Sequence, residues 1–406
     1  MIDFDEKRIE ILSYNCKGDL PNPFLFDDGS SLKSPEEWKE RRKEIYKTAI
    51  ELQYGTQPPA PEFVDVELLY IDRSQVCCYR ITSGKRSMPV SFLMYLFKAK
   101  NTNEKAPAVI SGDMCFVPMY DKEFISQFTE NGIHFVSFNR VEIAADIAGY
   151  ALGVLDKDTY EYKKGTECVE KNQDGISKCR LKEAYSECSF GTVGAWAWGY
   201  SRCVDALEIL QNTDMNLIAF TGLSRGAKAC ALAGAIDERA AIVNPCATCA
   251  GGNSGYRIKI TAKTEDGRIC ESEEISNIFR HFPTWMGQDM KQYIDNEEKL
   301  PFDSHYLKAL VAPRILFVAE AASDIMANPV GSWQTTMAAG EVYKFLGCEE
   351  NLYWYFRSGG HNQTIEDVQQ LVNIIRHVRD GEPINNSFYK LPFRPMKLSY
   401  SWKCPE

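Results

Sequence analysis

The clearest indication of the fold is the stretch Leu217-Ile218-Ala219-Phe220-Thr221-Gly222-Leu223-Ser224-Arg225-Gly226-Ala227-Lys228-Ala229-Cys230-Ala231. Its first four residues form a short apolar strand, and its last five are mostly small residues typical of a helix that lies close to a sheet. Between them, Gly222–Gly226 has the pattern GxSxG, in which a serine occupies a tight turn from strand to helix. Small neighbours let this turn close, and the start of the helix directs backbone amides toward the serine. The context favours Ser224 as a nucleophile over a chance match in a glycine-bounded turn.

Short apolar runs of the same kind lie on both sides of this stretch, at 107–111, 134–138, 241–243, 315–318 and 353–356. They alternate with segments long enough to be helices. Continuous apolar strands of this length are typical of a parallel sheet whose two faces are both covered by helices. The sequence therefore predicts an α/β fold with three layers and a mostly parallel central sheet.

The N-terminal part has a different pattern of predicted secondary structure. Ser34-Pro35 followed by acidic residues predicts a helix that runs to about Tyr54. Three β-like runs come next, at 64–71, 76–82 and 88–98, with short gaps that favour antiparallel pairing. We interpret residues 1–60 as a helical and irregular extension packed on the core, and 61–406 as one catalytic domain. The polar, weakly periodic segment at about 150–190 is interpreted as a surface insertion.

Composition limits the class of protein. The formal net charge of −10 argues against general binding to nucleic acid or anionic membranes. No apolar run approaches the length of a membrane helix, and Met1 is followed by charges without an apolar signal region. The 14 cysteines are dispersed without a framework spacing, which favours buried free thiols. We expect a cytoplasmic protein without metal or cofactor, in which Cys246-x-x-Cys249 lacks a partner motif for a metal or redox site.

A serine nucleophile needs a base, and the chain has five histidines. His134 in a strand and His377 on a helix are interpreted as structural. His281 and His305 lie between strands and could line a cleft, and His305 is kept as a candidate substrate-binding residue. His361 follows the strand 353–356 in a glycine-flanked loop, where parallel-sheet enzymes place their sites. The sequence therefore predicts His361 as the base.

An acid that orients the histidine should lie between Ser224 and His361 in the chain, at a strand end. Glu320 and Asp324 both follow the strand 315–318 and both qualify by position. Glu320 belongs to the strand end, whereas Asp324 lies out in the loop. We choose Asp324 and keep Glu320 as the alternative.

The chain resembles the glucuronoyl esterases of carbohydrate esterase family 15 over roughly residues 20–380. The residues that carry the resemblance are Leu20–Phe24, Gly194–Gly199, Gly222–Lys228, Ala250–Gly252, Leu300–His305, Ala312–Arg314, Ser323–Pro329 and Gly360-His361. The joint order of these motifs is specific, although none decides alone. The resemblance implies an α/β-hydrolase fold and cofactor-free cleavage of esters of glucuronic or 4-O-methylglucuronic acid.

Carried over by motif, Ser224 is the expected nucleophile and His361 the expected base. Arg225 would add its guanidinium to the oxyanion hole, and Lys228 would contact sugar hydroxyls. Met326 stands where a sugar-stacking Trp is often found in the family, so we place it at the substrate as well. A further oxyanion donor is sought in the loop Gly112-Asp113-Met114.

The departures from the family pattern concern the acid and the sugar contacts. Ala247 stands where fungal relatives keep their acid, while the later acid of bacterial relatives matches Asp324. Leu223 and Asn362 replace cysteines that fungal relatives bond across the site, and Cys270 replaces a sugar-binding Gln. We expect a serine esterase that cleaves carbohydrate esters through an acyl-enzyme, and the resemblance points to a glucuronoyl or 4-O-methylglucuronoyl esterase. An acetyl (xylan) or other small-molecule carboxylesterase is the alternative, and a hydrolase-fold binding protein with little turnover is a second one.

Overall fold

The computed structural model describes residues 9–100, 105–114, 121–146, 179–264, 266–384 and 388–405. The strands in these ranges are β1 (Glu10–Cys16), β2 (Phe63–Ile71), β3 (Cys77–Lys85), β4 (Met88–Phe97), β5 (Ala106–Ser111), β6 (His134–Phe138), β7 (Thr213–Leu223), β8 (Ala240–Cys246), β9 (Ile258–Lys263), β10 (Ile269–Glu271), β11 (Ile315–Ala321) and β12 (Leu352–Arg357). The helices are α1 (Trp38–Ile45), α2 (Leu52–Tyr54), α3 (Lys122–Thr129), α4 (Arg180–Ala184), α5 (Thr192–Leu210), α6 (Arg225–Ile236), α7 (Ile275–His281), α8 (Ser304–Ala309), α9 (Pro329–Phe345) and α10 (Ile365–Asp380).

The main sheet has nine strands in the order β12-β11-β8-β7-β5-β6-β4-β3-β2. Neighbours from β12 to β6 are parallel, whereas β4, β3 and β2 pair antiparallel. The expected mostly parallel sheet with antiparallel N-terminal strands is confirmed. Since β6 and β7 lie on opposite sides of β5, the strand order reverses there, and the carboxyl ends of these strands open toward a crevice.

Alternate residues of the parallel strands point into two separate cores, as a strand covered on both faces requires. In β5, Ala108 and Ile110 belong to one apolar cluster and Val109 belongs to the other. The first cluster contains side chains of α5, α6 and α9, while the second contains side chains of α3 and α10. The predicted three-layer arrangement is confirmed.

The N-terminal helix begins at Pro35 with a 3₁₀ turn and continues through α1, a π-helical segment (Tyr46–Glu51) and α2. It ends at Gly55, whose φ of 83° lies in the left-handed region that glycine adopts readily. Trp38 and Ile45 are buried in the first cluster, so this segment packs on the core. The sequence did not predict the second sheet, in which β1 pairs antiparallel with β9 and β10 completes the order β1-β9-β10.

Most of the insertion expected at about 150–190 lies outside the described residues. Within the described part, α4 packs Leu181 and Ala184 into the core. The twelve cysteines that lie in the described ranges of the chain, from Cys16 to Cys404, are free. None of the helices described is long and apolar enough to cross a membrane.

Candidate active site

Ser224 lies in a strained turn between β7 and α6. Its φ of 58° and ψ of −121° are sparsely populated for a residue with a side chain, and such strain tends to occur at functional positions. The Ser224 N–H donates to the Cys246 carbonyl at the end of β8, at 3.0 Å. A Cβ on Gly226 would overlap the Asp113 carboxylate, which explains the glycine two residues after the serine. The Ser224 hydroxyl is partly exposed and forms no hydrogen bond with another described residue.

The first turn of α6 offers backbone donors beside Ser224. The N–H of Lys228 donates to the Ser224 carbonyl at 3.0 Å. The three amides before it, from Arg225 to Ala227, have no acceptor within the helix because they belong to its first turn. Unpaired amides at a helix N-terminus are suited to an anion.

The described start of the loop after β5, Gly112–Met114, does not supply the further oxyanion donor predicted from the sequence. Its three amides already have acceptors: the Gly112 N–H donates to Tyr200 Oη at 3.1 Å, that of Asp113 to Ser111 Oγ at 3.3 Å, and that of Met114 to the Phe138 carbonyl at 3.3 Å. The loop turns its amides toward the sheet, and this prediction is wrong.

His361 and Asp324 meet at the same edge of the sheet. His361 Nδ1 lies 2.7 Å from Asp324 Oδ2, and about a third of the His361 side chain is exposed, against 3% for Asp324. Partial burial lowers the pKa of His361, but the hydrogen bond and the charge of Asp324 outweigh it, so the pKa is raised above 6.5. If Nδ1 carries the proton toward Asp324, Nε2 is left as a proton acceptor.

Glu320 belongs to the interior instead. It is 1% exposed, and its Oε1 accepts hydrogen bonds from Asn253 Nδ2 at 2.9 Å and Ser332 Oγ at 3.0 Å. Burial raises its pKa to about 8, so at neutral pH the carboxyl is largely protonated. A neutral carboxyl that faces the core cannot stabilise a charged imidazole at the surface.

The loop that carries His361 is fixed from below by a buried ion pair. Arg357, at the end of β12, binds Asp367 Oδ2 through Nε at 2.6 Å. The same guanidinium donates to the carbonyls of Ser358, at 2.8 Å, and Asn362. The two ends of the loop are thereby held to one rigid side chain.

A second buried ion pair lies directly beneath the serine turn. Asp113 Oδ2 accepts the Leu223 N–H at 2.6 Å, and Asp113 Oδ1 pairs with Arg140. Both side chains of this pair are fully buried, and Arg140 also donates to the Gly112 carbonyl at 3.1 Å. The pair thus ties the loop after β5 to the residue that precedes Ser224.

Arg225 is held flat beside the serine. Its Nη1 binds Asp146 Oδ2 at 2.8 Å, and its guanidinium lies over the rings of Phe282 and Trp285, at 4.6 and 4.9 Å from the ring centres. Asp146 also accepts the Trp285 indole N–H at 3.0 Å, which fixes the ring that supports Arg225. Nε and Nη2 of Arg225 form no hydrogen bond with any described residue, so two donors of the fork are unused.

Comparisons with known proteins agree on one family. A model of the fungal glucuronyl esterases matches residues 158–347. A 4-O-methyl-glucuronoyl methylesterase of Wolfiporia cocos is 28% identical over 352 residues, which cover 84% of this chain and 76% of that protein. A carbohydrate esterase from an unknown prokaryotic organism is 25% identical over 93% of this chain and 92% of its own length. A carbohydrate esterase family 15 glucuronoyl esterase from Caldicellulosiruptor kristjansonii superposes with a TM-score of 0.77 at 25% identity, covering 95% and 97% of the two chains.

The chain is similar over most of its length to known glucuronoyl esterases. The resemblance stated from its motifs is confirmed, as is the α/β-hydrolase fold. Within this glucuronoyl esterase fold, Ala247 is buried after β8 and carries no acid, and the carboxylate beside His361 comes from the loop after β11.

Lys228 does not have the free ammonium that would be expected of a residue available to bind a sugar. It is 2% exposed, and its ammonium donates to the carbonyls of Thr248 and Ala250, the latter at 2.6 Å, and to Glu273 Oε2 at 3.1 Å. The backbone after β8 curls around the ammonium, so all three of its donors have partners. A contact between Lys228 and a sugar stays a prediction, and it would require a hydroxyl to share or replace one of these acceptors.

Glu273 connects Lys228 to the rim of this esterase-family site. Its N–H donates to the Met326 carbonyl at 3.0 Å, and its side chain is 13% exposed. Met326 itself is 44% exposed, which leaves its thioether available at the rim. Glu273 was not predicted as a site residue, because a single acid between β10 and α7 belongs to no recognisable sequence motif.

The substrate-binding role predicted for His305 is contradicted by its burial. His305 has no exposed surface, and its Nε2 lies 2.8 Å from the Pro21 carbonyl. The ring stacks on Trp402 with 5.8 Å between ring centres. His305 therefore joins the two ends of the described chain to α8, and burial lowers its pKa to about 4.

Proposed function

We propose that this protein is a glucuronoyl esterase that cleaves esters of 4-O-methylglucuronic or glucuronic acid through an acyl-enzyme. The observation that carries the proposal is the 2.7 Å contact between His361 and Asp324 at the sheet edge where Ser224 is held in its strained turn. Ser224, Asp324 and His361 follow β7, β11 and β12, whose carboxyl ends lie at one edge of the main sheet. The family relationship supports the reaction class.

In the proposed mechanism Ser224 Oγ attacks the ester carbonyl carbon while His361 Nε2 takes the hydroxyl proton. The tetrahedral intermediate collapses, and the alcohol leaves with that proton. A water molecule then attacks the acyl carbon while His361 Nε2 takes one of its protons. The bond between the acyl carbon and Ser224 Oγ breaks, His361 returns the proton to Oγ, and the free acid leaves. Asp324 holds the imidazole through Nδ1 and stabilises its charged form during both steps.

The developing oxyanion has donors on one side of Ser224. Arg225 has two unused guanidinium donors, and the amides of the first turn of α6 are unpaired within the helix. Because Asp146 and the two aromatic rings hold Arg225 before any substrate arrives, its charge needs little rearrangement during the reaction. Preorganised donors of this kind are usually the largest contribution to such a step.

The acyl group is proposed to be the uronic acid of a small carbohydrate. Two observations on relatives support this choice: the Wolfiporia cocos protein is a 4-O-methyl-glucuronoyl methylesterase, and a Sporotrichum thermophile glucuronoyl esterase with its serine replaced was solved with methyl 4-O-methyl-β-D-glucopyranuronate. In this chain Glu273 joins the buried Lys228 to the exposed Met326 at the rim. Met326 would give a sugar ring an apolar contact, and Lys228 would give a polar one if a sugar hydroxyl replaced one of its acceptors.

A second candidate is an acetyl or other small-molecule carboxylesterase, in which a sugar would be the alcohol. It is favoured by Lys228, whose three donors all have protein acceptors, and by the absence of a Trp at position 326. The same Ser224, His361 and Asp324 would serve that reaction.

One experiment separates these possibilities. Wild type and Ser224→Ala are assayed with methyl 4-O-methylglucuronate and with para-nitrophenyl acetate. Turnover of the uronate ester that is lost in Ser224→Ala supports the proposal. Turnover of the acetate alone would keep Ser224 as nucleophile but replace the substrate, and turnover of neither would contradict an esterase.

A further inference from the structure

A cavity of about 270 Å³ lies at the far end of α6 from Ser224. It is lined by Ile236 at the end of α6 and Arg239 beyond it, by Trp198 and Arg202 of α5, and by Tyr46. Since α6 has twelve residues, its two ends are about 18 Å apart. The cavity is therefore separate from the esterase site, at the opposite edge of the sheet.

Arg202 supplies the cavity with unused donors. Its Nε binds Asp205 Oδ2 at 2.6 Å, and its guanidinium lies over the Trp198 ring at 5.1 Å. The side chain is only 9% exposed, yet Nη1 and Nη2 form no hydrogen bond with any described residue. A nearly buried guanidinium whose plane is fixed and whose Nη1 and Nη2 are unpaired is suited to bind a group with two adjacent acceptor oxygens, such as a carboxylate.

The acids around Arg202 are already satisfied. Asp205 Oδ1 pairs with Arg239 Nη1 at 2.7 Å, and the two oxygens of Asp237 take Nε and Nη2 of Arg239 at 2.9 and 2.7 Å. The remaining neighbour, Glu208, is half-exposed and also contacts Arg239 Nη1, at 3.2 Å. Among the described residues, no carboxylate contacts Nη1 or Nη2 of Arg202.

Tyr46 adds a second unpaired group. Its hydroxyl forms no hydrogen bond with the residues described, while the ring is largely buried. Tyr46 is also the first residue of the π-helical segment, and such irregular turns occur often at functional sites. Pro58, Pro59 and Ile236 complete the wall with apolar surface.

We propose that this cavity binds a small organic carboxylate, whose two oxygens take Nη1 and Nη2 of Arg202 end-on. Tyr46 Oη would bind a further oxygen of the ligand, and the proline wall would cover its carbon skeleton. The cavity has about the volume of nine water molecules in the liquid, which suits a compact molecule such as a monosaccharide acid. The proposal is independent of the esterase reaction.

The test uses sodium D-glucuronate as the probe and glucose as the neutral control. In protein labelled with ¹⁵N-arginine, the Nε–H signal that is missing from Arg202→Lys belongs to Arg202. Glucuronate should shift this signal saturably with millimolar or tighter affinity, and glucose should leave it in place. No saturable shift with glucuronate, or an equal shift with glucose, would overturn the proposal.

Two variants guard against a shift transmitted from the esterase site. Ile236→Trp fills the cavity while it keeps the Arg202 signal observable, and it should weaken the response to glucuronate at least tenfold. Arg202→Lys keeps the positive charge beside Asp205 but removes the fork, and calorimetry should show the loss of one class of glucuronate sites. An unchanged response in Ile236→Trp would place the bound glucuronate elsewhere and refute the site.

Discussion

The serine turn separates two layers of polar side chains that behave in opposite ways. The outer layer consists of Ser224, Asp324 and His361, which lie at the sheet edge and keep open positions: a free hydroxyl and an imidazole with one nitrogen unused. The inner layer consists of Asp113 and Arg140 beneath the turn and Glu320 at the end of β11, all of them buried. Polar groups near the proposed reaction centre therefore fall into two classes. Those that lie at the sheet edge and keep unpaired atoms can react, and those that are buried and bonded to other buried groups stabilise the surrounding structure.

The largest difference between the layers is expected from their acids. Asp324→Asn keeps the shape of the site but removes the charge that stabilises the imidazolium, and it should lower kcat/KM about 10³- to 10⁴-fold. Glu320→Gln replaces a carboxyl that burial already holds mostly protonated, and it should retain most of the activity. Hydrolysis of methyl 4-O-methylglucuronate measures both. If Glu320→Gln alone abolished turnover, the assignment of the acid would be wrong.

The inner layer should control stability instead. Asp113→Ala leaves the Arg140 guanidinium buried without its carboxylate, and it should lower the free energy of unfolding by about 3–5 kcal/mol. The matched control is Glu67→Ala, which breaks the exposed Arg80–Glu67 pair and should cost less than about 1 kcal/mol. Urea denaturation compares the two variants. Equal losses would show that the pair beneath the turn is no more important than a surface contact.

A smaller effect is expected in the titration of His361. Its pKa is raised above 6.5 by Asp324, and the base must be neutral to accept a proton, so wild-type kcat/KM should fall with acid at a pH above 6.5. Removing the charge in Asp324→Asn should lower this pKa and move the titration of the ring toward lower pH. NMR of the His361 ring follows the change without need of activity. A pKa that stayed or rose in the variant would contradict the assigned cause.

The smallest effect is expected at the rim. Met326 is exposed, and under the proposed function it would give the sugar one apolar contact, so Met326→Ala should raise KM severalfold for the uronate ester and leave kcat close to that of the wild type. Val378→Ala, an exposed apolar residue of α10, is the matched control and should change neither constant. A fall in kcat with unchanged KM would mean that Met326 acts on the chemistry and not on binding.

The sequence singled out the members of the outer layer because each follows an apolar strand and two of them have glycine neighbours. The buried parallel strands were equally visible, since both of their faces are apolar. The second sheet was missed because β1 is mostly exposed, without an apolar stripe, and its partner β9 lies more than 240 residues later in the chain.

The inner layer was not predictable in the same way. Asp113 entered the sequence analysis only as part of the loop after β5, and nothing local indicates that it meets Arg140 across 27 positions of the chain. The burial of Lys228 and His305 was not predicted for the same reason, because the carbonyls that they contact come from distant segments. Whether a charge is buried depends on the whole fold, whereas a turn such as the one at Ser224 can be predicted from a few adjacent residues.

The pairing of β1 with β9 has a consequence for handling the protein. A shortened form that begins after Cys16 would leave the β1 side of β9 as an open strand edge, with unpaired amides and carbonyls. Open edges of this kind recruit strands from other molecules and promote aggregation. We expect such a form to be less soluble than the full chain even if the distant sheet edge that carries Ser224 were unchanged.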